Sequence, residues 1–275
     1  MTEIPKLLNL TAENILKVKS WVKQDEKYQQ DEKALKAIFE KASNTNLLDI
    51  YIKTILLNSI YSTQLRGRQF LDVAKFLYEN DVEGVIKSGN PERLNEFIRK
   101  AQKSLKPLPY SFITKYVALS ELYTNPSKNS FPIFDNIVND MLNLMHSYYN
   151  DLNKVDFAKY ICWFSMISIA KSLIKNPKQQ ELTFRDIDWY FWYLGREILA
   201  VSNAINKKLR KQKIDIKLNK NFSLHNIDSY TKKLSNQDLT NLEIEYKEKI
   251  IKFGYIKFSI ENILQFIENN HQTAK

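Results

Sequence analysis

The chain has 275 residues, with 41 Lys or Arg against 31 Asp or Glu, and a formal net charge of +10. Apolar residues make up 44%, including 15 Phe and 15 Tyr, which is ample for a packed core and excludes a disordered chain. Only 5 Gly and 7 Pro are present, too few for most all-β folds or for phosphate-cradling glycine loops, so a mostly α fold is expected.

In chain order, Thr11 can cap a helix to about Val22 with Ile15, Val18 and Val22 on one face. The run from Gln29 to Ala42 gives a second helix with Leu35, Ile38 and Phe39 inward. From Leu47 to Tyr61 apolar residues lie on nearly every side, which predicts a central, buried helix. Phe70 to Tyr78 is amphipathic, Asn90-Pro91 is a cap followed by a first-turn proline, and Arg93 to Leu105 follows. Pro107 and Pro109 force an extended break. Helices are then expected over about Tyr110–Leu122, Ile133–Tyr148 and Val155–Ile174, the last one buried. Thr183 caps another helix carrying Ile187, Tyr190, Phe191, Leu194 and Ile198.

After about Asn206 the texture changes. Ile214, Ile216 and Leu218 alternate with polar residues, as in a short strand, and helices are predicted over about Leu239–Lys252 and Ser259–Asn269. The expected division is a helical domain over 1–205 and a basic extension over 206–275, possibly mixed α/β. The extension carries a net charge of +6 against +4 for residues 1–202. Seven basic residues lie between Lys207 and Lys220 against the single Asp215, forming a cationic stripe that includes Lys207, Lys208, Arg210, Lys211 and Lys213. Such a stripe suits a polyanion, although lysine-rich composition alone gives the same pattern.

Cys162 is the one cysteine, which excludes an internal disulfide, an iron–sulfur cluster and a multi-cysteine zinc site. Between Ile161 and Trp163 it reads as a core position. The histidines, His146, His225 and His271, show no ligand spacing, so no metal and no cofactor is expected. The N-terminal residues lack a basic region followed by an apolar one, and no stretch has the length and apolarity of a membrane span. The expected location is cytoplasmic, with no membrane partner.

Three pieces carry the functional reading: ILLNSIYSTQL at 55–65, PYSFITKYVAL at 109–119 followed by FPIFDNIVNDML at 131–142, and DIDWYFWYLGREIL at 186–199. In this order they resemble landmarks of the helix-hairpin-helix DNA glycosylases, the endonuclease III and 8-oxoguanine glycosylase type. The resemblance covers residues 45–200. It implies a two-lobed helical fold and base excision from DNA, with Lys115 as nucleophile and Asp135 as stabiliser of positive charge on the sugar. Asn58, Ser59, Ser62 and Thr63 would then fill the gap in the duplex. Phe131, Phe134, Trp189, Trp192 and Tyr193 would wall the flipped base.

The pairing is chemically coherent. A lysine attacks only as a neutral amine, and an aspartate at a helix N-terminus stays ionised because the helix dipole favours it there. One departure stands out: the family's hairpin carries glycines that bind a phosphate, and the corresponding residues 108–114 have none. Ser111 and Thr114 hydroxyls are the candidate substitutes. Asp186 and Asp188, two apart on a helix, do not share a face and make a poor acid–base pair. Two alternatives stay open: a non-catalytic scaffold that binds nucleic acid or a protein, with the extension as partner surface, and a helical interaction protein whose charge is compositional.

Overall fold

Helix capping sets the first elements. The structure, a computed structural model, describes residues 6–61, 63, 65–105, 110–128, 130–146, 182–211, 242–246, 249–253, 263–265 and 267–269. A 3-10 turn (Lys6–Leu8) leads to α1 (Ala12–Val22), whose Asn14 N–H donates to the Thr11 hydroxyl at 3.2 Å. Ile15, Val18 and Val22 are buried, as their spacing requires. Asp25 caps α2 (Glu26–Phe39), which buries Leu35 and Phe39. The chain continues through α3 (Leu47–Tyr61), α4 (Gln69–Glu79) and the short α5 (Val82–Ser88). The Asn90 side chain caps α6 (Pro91–Ser104).

The central helix is α7 (Tyr110–Thr124), not α3. Tyr110 and every residue from Phe112 to Glu121 are buried in α7, which packs on α2, α3 and α5. In α3 only Ile50, Lys53, Thr54 and Leu57 are buried. The opposite stripe, Leu48, Ile52 and Ile55, faces out with Leu48 at 64% exposure. Apolarity on all sides therefore overstated the burial of α3, because a neighbouring helix covers only a face.

Residues 131–135 form an irregular strap ahead of α8 (Asn136–His146). The helix was expected from Ile133. It starts three residues later, because Asp135 takes the capping position and its carboxylate accepts the Val138 N–H at 3.0 Å. The last long helix is α9 (Phe184–Lys211), opened by a reciprocal pair in which Asp186 N–H donates to the Thr183 hydroxyl and Thr183 N–H to the Asp186 carboxylate, both at 3.1 Å. Helix α9 packs on α1 and α8.

Two corrections concern the C-terminal third. The helix expected over Leu239–Lys252 is instead an antiparallel hairpin, β1 (Leu242–Tyr246) and β2 (Lys249–Phe253), with Ile244 opposite Ile251. Leu242, Ile244 and Tyr246 alternate with Glu243 and Glu245, and this period of two outweighs the helix propensity of Leu, Glu and Lys. The boundary expected at 205/206 falls inside α9, which runs unbroken to Lys211. Strand β1 lies against α9. Residues 263–265 and 267–269 are helical, and Ile263, Leu264 and Ile267 are buried in the same core as Leu7 and Ile15. Lys17 on α1 pairs with Glu268 at 2.5 Å. The described part of the extension is thus packed on the helical body.

The fold is mostly α, and no helix among the described residues is long and apolar enough to cross a membrane. The break at Pro107–Pro109, the buried helix at Val155–Ile174 with Cys162, and the strand at Ile214–Leu218 lie outside the described residues.

Close approach of α8 to α9 depends on Gly195. A methyl group there would run into Ile137 Cγ2 and come within 3.0 Å of Met141 Cγ. Gly195→Ala should cost about 1–3 kcal/mol of stability through overpacking, despite the better helix propensity of alanine. Denaturant titration checks this, and an unchanged midpoint would mean that α8 yields without strain.

Candidate active site

Helix α7 carries two charged residues in fifteen positions, Lys115 and Glu121, and both are buried. The Lys115 ammonium donates to Asp135 Oδ2 at 2.7 Å and to Ser111 Oγ, one turn back, at 2.9 Å. The Tyr61 ring at the end of α3 lies 5.4 Å from the amine. The lysine side chain is 5% exposed and the aspartate 12%. Thr114 locks the strap in register: its hydroxyl donates to the Phe134 carbonyl at 3.0 Å and accepts the Phe134 N–H at 3.2 Å. Twenty residues apart in sequence, lysine and aspartate meet because Thr114 fixes the strap one residue before the cap.

Beside this pair lies a second buried cluster built on Arg185, in the first turn of α9. Its guanidinium donates to Asp188 at 2.5 Å, to the Tyr28 hydroxyl at 2.7 Å, to the Tyr61 hydroxyl at 2.9 Å and to Glu32. Tyr123 donates to the other Glu32 oxygen at 2.6 Å, and the Trp189 indole N–H donates to Tyr28. Burial pushes the Glu32 carboxyl up, but Arg185 and the hydroxyl donors outweigh it and hold it below the usual range. Asp188 goes the other way. Burial raises it to about 6, with Asp135 and Glu32 adding to the rise and Arg185 and Lys115 opposing it. Burial likewise raises the Tyr61 and Tyr123 hydroxyls. Tyr61 joins the two clusters, its ring on Lys115 and its hydroxyl on Arg185.

A small cavity opens between α7, the strap and the first turn of α9, lined by Leu119, Glu121, Phe131, Ile133, Arg185 and Asp188 among others. It has room for about one water molecule. Glu121 Oε2 accepts the Ser130 and Phe131 N–H groups at 2.8 and 3.3 Å, and so anchors the strap. Glu121 Oε1 and Arg185 Nε are buried without a hydrogen-bond partner among the described residues.

The structure thus brings together Lys115, Asp135 and Ser111. Ser111 touches the lysine amine, and Thr114, expected at a phosphate, is fully buried as the strap's lock. Asn58 and Thr63 bond each other at 2.8 Å, and Asn58 also accepts the Leu65 N–H, so they shape the turn after α3. Ser59 is exposed, and Ser62 lies outside the described residues. Of the five expected base walls, Phe131 lines the cavity. Phe134 packs edge-on against Tyr110 of α7, Tyr193 against Trp21 of α1, and Trp192 against Tyr28 of α2 and the Arg196 guanidinium. Trp189 faces Arg185 at 5.3 Å. Lys207, Lys208, Arg210 and Lys211 fall in the last turns of α9, and Lys213 lies outside the described residues.

Glu121 and Arg185 escaped the sequence reading, and Asp188 was weighed there only as a poor partner for Asp186. Their signal was present: charges set among apolar residues in two helices, with Arg185 and Asp188 three apart on one face. Asp186 and Asp188 do part company, Asp186 pairing with Lys19 at 2.5 Å and Asp188 with Arg185.

A third buried cluster lies on the other side of α7. The Lys53 amine, fully buried, donates to Asn44 Oδ1 at 2.8 Å and lies 5.1 Å from the Phe39 ring. Tyr116 donates to the same Asn44 oxygen at 2.9 Å, and the Asn44 amide donates to Glu83 at 3.0 Å. Burial lowers Lys53 to about 8, against the pull of Glu83 and Asp49.

Residues 12–127 match the family model described as HI_0787_N, an N-terminal domain. That span runs from α1 to the loop after α7; it contains Lys115, Glu121, Tyr61 and the Lys53 cluster, and stops before Asp135 and Arg185. More particularly, the chain is similar to a Haemophilus influenzae protein named "Uncharacterized protein", 29% identical over 146 residues, which is 53% of this chain and 65% of that protein. The chain therefore spans less than two thirds of the length of the curated relative it matches. No solved structure matches.

The Lys53 amine generates a prediction with a definite sign. Its folded pKa of about 8 lies below the 10.5 of a free lysine, so between those values the unfolded chain holds the proton that the folded one has lost. Stability should therefore rise with pH across this window, by up to about 3 kcal/mol at 1.36 kcal/mol per unit. Urea titrations at pH 7.5 and 10 check it, and Lys53→Met should abolish the rise.

Proposed function

We propose that the chain is a glycosylase-type enzyme that cleaves the N-glycosidic bond of a damaged or modified base in DNA, with Lys115 as nucleophile and Asp135 as charge stabiliser. The observation that carries this reading is the 2.7 Å contact between the Lys115 amine and the Asp135 carboxylate, with that carboxylate at the N-terminus of α8. As the base departs, positive charge grows on the sugar. A carboxylate fixed by the Val138 N–H and the helix dipole opposes that charge without having to reorganise. A sugar entering between the two groups breaks the ion pair. The aspartate then faces the sugar, and the lysine, whose proton leaves with the departing base, presents its lone pair to C1′. The net charge of +10 supports a polyanionic substrate.

A second reading, a non-catalytic scaffold on the same helices, is favoured by one observation. The apolar stripe of Leu48, Ile52 and Ile55 on α3 is open, as a protein-binding face would be.

Borohydride trapping on duplex DNA with an abasic site separates the two. The enzyme reading expects a covalent adduct that disappears in Lys115→Ala and falls at least tenfold in Asp135→Asn. Absence of any adduct, with DNA binding that weakens steeply with salt, would leave the scaffold reading.

A further inference from the structure

Among the described residues the exposed large apolar side chains are Leu48, Ile52, Ile55, Leu71 and Tyr78, and all five lie on the neighbouring helices α3 and α4. A solvated surface scatters such side chains singly, so their gathering on one pair of helices marks a contact face. On α3, Leu48, Ile52, Ile55 and the exposed Ser59 stand four, three and four residues apart, the spacing of a coiled-coil seam. The two charged residues of this helix turn elsewhere: Asp49 accepts the Ser43 N–H at 2.8 Å, and Lys53 is fully buried. Tyr61, whose ring meets Lys115, lies on the inner side of α3, so a partner on the seam leaves the Lys115–Asp135 pair untouched.

The outward stripe of α4 says what the partner is. Arg68, Asp72, Lys75 and Glu79 are all exposed and repeat the same spacing of four, three and four, with signs that alternate plus, minus, plus, minus. Taken from the other end, the order is minus, plus, minus, plus. An antiparallel copy of the helix therefore sets Arg68 against Glu79 and Asp72 against Lys75, each pair made twice across a two-fold axis. A parallel copy would set like charge against like. The pair within the chain, Arg68 with Asp72 at 3.7 Å, has an arginine side chain 88% exposed and is loose enough to share its charges. The stripe is also neutral, two cations against two anions, in a chain of net charge +10. A face for an acidic foreign partner would carry part of that excess, whereas a face that meets its own copy must not repel itself. Phe76 packs on Phe97 of α6 with ring centroids 5.2 Å apart, and Leu71 and Tyr78 stand on the opposite side of α4, where they add to the apolar surface.

We propose that α3 and α4 form a two-fold, antiparallel interface with a second copy of this chain. Helix α3 meets α3 of the copy along Leu48, Ile52 and Ile55, and α4 meets α4 through the charge pairs. One two-fold axis lying across both helices produces both contacts at once. The helices are about 22 and 16 Å long and the pair is about 20 Å wide, so the face covers on the order of 400 Å², at the small end of specific interfaces. A dimer that exchanges with monomer at micromolar concentration follows. The proposal rests on neither functional reading above.

Sedimentation equilibrium of the full chain from about 1 to 500 μM, the range that small interfaces occupy, reads the association directly. The expected result is a monomer–dimer equilibrium. Ile52→Asp places a charge in the seam at a position 41% exposed, and should raise the dissociation constant about tenfold or more with the circular dichroism unchanged. Arg68→Glu sets two anions against each other twice per dimer and should weaken it about fivefold. Adding Glu79→Arg to that variant should restore the wild-type constant to within about twofold. The double variant puts like charges side by side within its own helix, so damage to the helix would deepen in it, and only pairing across the axis gives rescue. A chain that stays monomeric throughout would overturn the proposal and leave the face to a different protein. A dimer unmoved by Ile52→Asp, or one that Arg68→Glu weakens and the double variant does not restore, would overturn it as well.

Discussion

A charge removed from water must be met by another charge or by hydrogen bonds, and this constraint organises the molecule around the first turn of α9. Arg185 sits there almost wholly buried, and four side chains from three helices turn inward to meet it: Tyr28 and Glu32 from α2, Tyr61 from α3, and Asp188 from its own helix. A buried ion pair contributes little net stability against an apolar core, since desolvation offsets most of the attraction. What it does impose is geometry, because losing one partner leaves an uncompensated charge. The relative placement of α2, α3 and α9 follows from that demand.

The lysine–aspartate pair inherits its position from this arrangement. Tyr61 is held at its hydroxyl by Arg185 and presents its ring to Lys115. The strap that delivers Asp135 is pinned at both ends to α7, by Thr114 at Phe134 and by Glu121 at Ser130 and Phe131. Two polar residues of one buried helix therefore fix five residues of irregular backbone, the kind of support that keeps a site rigid although it lies on a loop. The cavity is the space left between these two anchors and Arg185.

Sequence pattern located the elements of the helical body well where local chemistry dominates. Thr11, Asn90 and Thr183 cap the helices that their side chains predict, and Asp135 stands at a helix N-terminus. Pattern failed where partners decide. The apolar excess of α3 predicted complete burial, but the face carrying Leu48, Ile52 and Ile55 is left partly exposed. The Leu-Glu-Ile-Glu-Tyr run satisfies helix propensity and strand alternation alike, and pairing with Lys249–Phe253 chose the strand. Of the aromatic residues expected as walls of a pocket, Phe131 lines the cavity, Tyr193 and Trp192 pack against rings of α1 and α2, and Phe134 of the strap packs on Tyr110.

By itself the sequence determined a mostly α chain, its caps and the amphipathic faces, because these depend on residues within a few positions of each other; the candidacy of Lys115 and Asp135 came from the order of three motifs along residues 45–200. Only tertiary structure decided that the lysine and aspartate touch, that Arg185 gathers carboxylates and hydroxyls from distant segments, and that Glu121 and Asp188 border a common small cavity. Those facts depend on contacts between residues up to 157 positions apart, such as Arg185 with Tyr28. A local pattern records that a charge is set among apolar neighbours, but the identity of the group that neutralises it is fixed only when the helices pack.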